Sequence, residues 1–94
     1  MGEVKEQVVL LLENLVRKVK TQTLDAGDVD FHIYPAQAAG SPYLVEVSQE
    51  RFVRRVTVDP ITVQRLKLGQ PDPVLMRDLR TAILAVVRLA RRRQ

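Results

Sequence analysis

The residues best placed for chemistry are arginines. Arg77, Arg80, Arg88 and Arg91 recur, with Leu84 among them, at steps of 3, 4, 4 and 3. On a helix each residue advances about 100°, so the four guanidinium groups fall within roughly 80° of one another. They form a ridge on the order of 20 Å long with Leu84 in its middle. Arg92 and Arg93 extend the charge toward the chain end. Guanidinium groups grip phosphates and carboxylates in two-pronged fashion, and neutralised phosphates release counterions. The ridge therefore suits either a nucleic acid or an acidic protein. A leucine ringed by arginine is the composition of a protein interface. The bland alternative is a solvated helix face whose last cations answer the helix dipole. Only Asp78 supplies an acid within this helix, so the ridge is scarcely neutralised from within.

Other constellations are weaker. Asp30, His32 and Ser48 share one face of a predicted sheet and have the residue types of a catalytic triad. A triad also needs an activated, strained nucleophile and an oxyanion hole, and no such turn is present. Asp25, Asp28 and Asp30 lie near His32, the single histidine. They lack the spacing and distal glutamate of a calcium loop, and Asp25 and Asp28 fit a turn more simply. Gly2, Gly27, Gly40 and Gly69 make no phosphate-cradling loop. His32, Tyr34 and Arg55 form a small candidate patch for stacking bases on an open sheet, a mode that calls for two or three aromatics. With no cysteine, disulfides, thiol nucleophiles and cysteine zinc sites are excluded. No cofactor, metal or small-molecule substrate is expected, and no enzyme.

These residues need a scaffold, and 94 residues provide for one domain with one modest core. Residues 3–20 read as a helix, since Val4, Val8, Leu11, Leu12, Leu15 and Val19 fall at 3- and 4-residue steps. The stripe is broad enough to predict a central helix or one shared with a second subunit. Asp25 to Asp28 is a turn. Val29 to Tyr34 alternates as a half-buried strand, and Pro35 to Pro42 is a loop. Tyr43 to Ser48 and Phe52 to Val58 are two further strands around a turn at residues 48–51. Arg54 falls on the inward side of the third, which requires a bulge or a side chain reaching out at the sheet edge.

Asp59-Pro60 and Asp72-Pro73 both read as helix starts, with a capping aspartate followed by proline in the first turn. The first opens a short helix ended by Gly69, the second a helix to about Arg92. The expected fold is α+β: helix, three-stranded antiparallel meander, short helix, long C-terminal helix, with the first and last helices on one sheet face. The double-stranded-RNA-binding fold shares this order, but its early lysine cluster is missing from Asp59-Pro60-Ile61-Thr62-Val63 and from Asp72-Pro73-Val74-Leu75-Met76.

The charge is divided along the chain. Residues 1–50 carry four cations and eight acids, residues 51–94 eleven cations and three acids. Arg88, Arg91, Arg92 and Arg93 account for the whole net charge of +4. The early residues Met1-Gly2-Glu3-Val4-Lys5-Glu6 lack a basic leader, and no apolar run approaches the ~18 residues of a membrane span. The sequence thus predicts one cytoplasmic domain over residues 1–94, with 88–94 as a basic end prone to fraying. Its expected role is protein interaction, as a self-associating homo-oligomer, with nucleic-acid binding as the alternative.

Overall fold

A computed structural model describes residues 6–92. Six elements follow in the expected order: α1 (Gln7–Gln22), β1 (Asp30–Tyr34), β2 (Tyr43–Gln49), β3 (Phe52–Val58), α2 (Pro60–Lys67) and α3 (Pro73–Arg92). The strands make one antiparallel sheet in the order β1-β2-β3, so β1 and β3 are its edges. α3 packs on β3 and β2, α1 on β1, and α1 also touches α3 and α2. The expected α+β architecture is the one present. Glu3 and Val4, read as the start of the first helix, lie outside the described residues, as does Arg93.

The core is a single layer between helices and sheet. Val8, Leu12, Val16 and Val19 of α1 meet Ile33, Val45, Val47, Val56 and Val58 of the strands, and Leu79, Ile83 and Val86 of α3 close the space. Each set has the period its element imposes, 3.6 on the helices and 2 on the strands. The opposite sheet face stays open in three cross-strand rows. They are Tyr34–Leu44–Thr57, His32–Glu46–Arg55 and Asp30–Ser48–Val53.

Pairing between β2 and β3 runs without interruption from Tyr43↔Val58 to Gln49↔Phe52. There is consequently no bulge at Arg54. It sits on the inward side opposite Val47, is exposed because β3 is an edge, and turns its guanidinium back to donate to the Val53 carbonyl at 2.9 Å. The hairpin loop is Glu50-Arg51, with Glu50 in the left-handed region at φ 56°.

Both Asp-Pro starts behave as helix caps. Asp59 Oδ1 accepts from the Thr62 N–H at 2.8 Å, and Asp72 Oδ1 from the Leu75 N–H at 3.0 Å. The Thr62 backbone bond holds the Asp59 carboxyl below its usual value, with help from the Thr62 hydroxyl. α2 ends in a paired-bond glycine cap. Gly69, at φ 71°, donates to the Leu66 carbonyl and Gln70 to the Arg65 carbonyl.

Beside α2, Tyr43 is buried with its hydroxyl donating to Glu6 Oε1. Burial, and then the bond and charge of Glu6, push the phenol up from 10.0 to about 12. A group whose pKa is raised by folding lends stability that is whole below its unfolded value and is lost as pH climbs through the folded one. Stability should therefore decline from pH 10 toward 12, with Tyr43→Phe removing that part of the decline. Alkaline denaturation followed by circular dichroism, beside a tyrosinate absorbance titration, checks both.

Candidate functional site

α3 buries one side against the core and turns the other to solvent. Leu75, Leu79, Ala82, Ile83, Val86, Val87 and Ala90 face the core. Arg77, Arg80, Arg88 and Arg91 are exposed on the solvent side, as the spacing predicts, and Arg92 is exposed in the last turn. Leu84 is half-buried rather than open. Arg80 and Arg88 stand one turn to either side of it, and stems of that length cover apolar surface.

The ridge is not uniform. Arg91 is held by Asp25 at 3.0 Å, tying the end of α3 to the turn after α1. Arg77 has only its neighbour Asp78 at 3.6 Å, an exposed pair of little energetic weight. Arg80 and Arg88 have no ion-pair partner among the described residues.

Arg77 and Arg80 also border a feature that periodicity did not reveal. A groove of about 490 Å³ lies where α1, the end of α2 and the start of α3 converge. Leu15, Leu66, Met76, Pro71 and Pro73 line it beside Gln70 and Asp72, and Lys18, Arg77 and Arg80 bring three cations to it. The other late cations of α1 are occupied elsewhere: the Arg17 guanidinium lies 5.6 Å and the Lys20 ammonium 6.0 Å from the Phe31 ring centre. Lys18 is thus the α1 cation at the groove. The one sequence signal for this groove was the doubled Asp-Pro start. Gln70-Pro71 makes the elbow between two capped helices and borders the groove with Leu15.

Asp72 anchors the elbow. Only 7% exposed, it caps α3 through Oδ1, while Oδ2 is buried without a hydrogen bond and lies 3.8 Å from Arg65 Nη1. The carboxylate joins the last turn of α2 to the first turn of α3.

The sheet-face candidates separate. Glu46 Oε2 accepts from Arg55 Nε at 3.0 Å, which neutralises the middle of the face. His32 and Tyr34 pack edge to face with ring centres 4.4 Å apart, and both are exposed. The pair gives one aromatic corner beside Asp30 and Glu46, a poor bed for a polyanion. Asp30 and Ser48 share a row and His32 stands in the next, on an open surface. Among the described residues no three His, Asp or Glu side chains gather as metal ligands, and no helix is long and apolar enough to cross a membrane.

The chain matches no protein-family profile, no curated protein and no solved structure. Its own surface therefore carries the functional reading.

Replacing Asp72 by alanine should remove the cap and loosen the elbow, at a cost of about 1–2 kcal/mol. Urea denaturation monitored by circular dichroism measures that cost.

Proposed function

We propose that this chain is a non-enzymatic, cytoplasmic protein-interaction domain that takes an acidic amphipathic segment of a partner protein against α3. One observation carries the reading: three cations, Lys18, Arg77 and Arg80, border an apolar groove lined by Leu15, Leu66 and Met76. Apolar lining calls for apolar side chains, and the cations call for carboxylates beside them. A helix with leucine and glutamate on one face supplies both, in the helix-in-groove manner. Leu84 continues the contact along the ridge. The cations steer the encounter, and the desolvated apolar contact supplies the residence time.

A nucleic acid is the second reading, favoured by the lack of ion-pair partners for Arg80 and Arg88 among the described residues. It has no use for the apolar lining. The two readings separate in one titration. A fluorescent leucine–glutamate helical peptide should bind, and should lose binding when its leucines become alanine. Arg80→Glu should weaken it about tenfold or more, since close charge pairs are worth upward of ~1.5 kcal/mol. Nucleic-acid binding would instead show as RNA or duplex DNA bound with a log–log salt slope of about −0.9 per phosphate contact, with the leucine peptide ignored. Anisotropy at low and high salt reads both.

A further inference from the structure

α3 packs on β3, an edge strand of the sheet. One flank of α3 borders β3 there. A groove of about 370 Å³ lies between them, lined by Arg54, Val56 and Thr57 below and Asp78, Thr81 and Ala85 above. The groove is on the flank of α3 opposite Leu15 and Met76, so it is a different surface from the one proposed above. An open strand edge is a template for another strand.

The charge pattern above this edge is self-complementary. Val74, Asp78, Thr81, Ala85, Arg88 and Arg92 follow one another at steps of 4, 3, 4, 3 and 4, the seam of a packed helix pair. The acid lies in the N-terminal half of that seam and the cations in the C-terminal half. An antiparallel copy centred near Thr81 and Ala85 sets each Asp78 beside the other copy's Arg88, twice over. Val74 is 55% exposed and would gain cover.

We propose that β3 pairs antiparallel with β3 of a second copy about a two-fold axis, joining two three-stranded sheets into one of six strands, with the α3 helices meeting along Asp78, Thr81, Ala85 and Arg88. A two-fold contact uses the same patch on both copies and closes on itself. The register that sets Val56 opposite its own copy places Arg54 opposite Val58 and Arg55 opposite Thr57. No arginine then faces an arginine directly, which is the arrangement that would be repelled. An inward arginine at an edge ordinarily discourages strand addition. Here Arg54 is exposed with its guanidinium turned back to the Val53 carbonyl, and across the pair it meets Val58 rather than another cation.

Light scattering coupled to size exclusion tests this on the whole chain. The wild type should run at twice 10.7 kDa at high concentration. Asp78→Arg and Arg88→Asp should each lose the dimer while keeping the wild-type circular dichroism. The double exchange Asp78→Arg with Arg88→Asp should bring it back, because the charges are swapped and not removed. A wild type that stays at 10.7 kDa overturns the proposal, as does a dimer that survives both single changes or is not regained in the double. The leucine–glutamate peptide should still bind the Asp78→Arg monomer, so failure of the dimer and failure of the peptide site are read separately.

Discussion

Everything in this molecule follows from having one apolar layer to bury. A chain of 94 residues can close one core, and here it lies on a single face of three strands. Valine dominates the strand side of that core, and two long helices with leucine, isoleucine and valine stripes cover it. The other sheet face, both sheet edges and the outer side of α3 are left to solvent by the same act. Function has to be sought among those leftovers. One groove lies where α1, α2 and α3 converge, the other between α3 and β3.

The elements were legible because their periods are clean. Val8, Leu12, Val16 and Val19 could only be a helix stripe, and Tyr43, Val45 and Val47 only one side of a strand. The Asp-Pro starts and Gly69 announced their roles through backbone chemistry that needs no tertiary context. Arg54 was ambiguous for a physical reason. A charge on an inward position means a shifted register in a central strand but merely an exposed side chain in an edge strand, and strand order is not a local property. The arginine ridge was legible in its angles but not in its company. That Asp25 takes Arg91, and that Phe31 occupies Arg17 and Lys20, depends on contacts across the fold. The Leu15–Leu66–Met76 groove draws on three elements and was invisible to any single periodicity.

Short polar contacts decide how the large pieces are angled. Asp72 is the clearest case, because one carboxylate both starts α3 and approaches Arg65 at the end of α2. With Gly69 bending the chain before it, this fixes the elbow whose open side is the groove. At the opposite corner Arg91 and Asp25 form an exposed ion pair near the far end of α3. The long helix is thus anchored at its start, while its middle, around Thr81, Leu84 and Ala85, carries partly exposed surface.

The Glu46–Arg55 pair has a consequence for how other molecules meet this one. It quiets the centre of the open sheet face, while the helical face keeps most of its cations. The backbone measures 43 by 33 by 21 Å, a slab whose thickness exceeds two Debye lengths, each about 8 Å at physiological salt. A molecule approaching from the sheet side is screened from the arginines behind it. One approaching from the helix side feels them at once. The slab therefore has a front and a back, and an acidic visitor is turned the right way round before it touches.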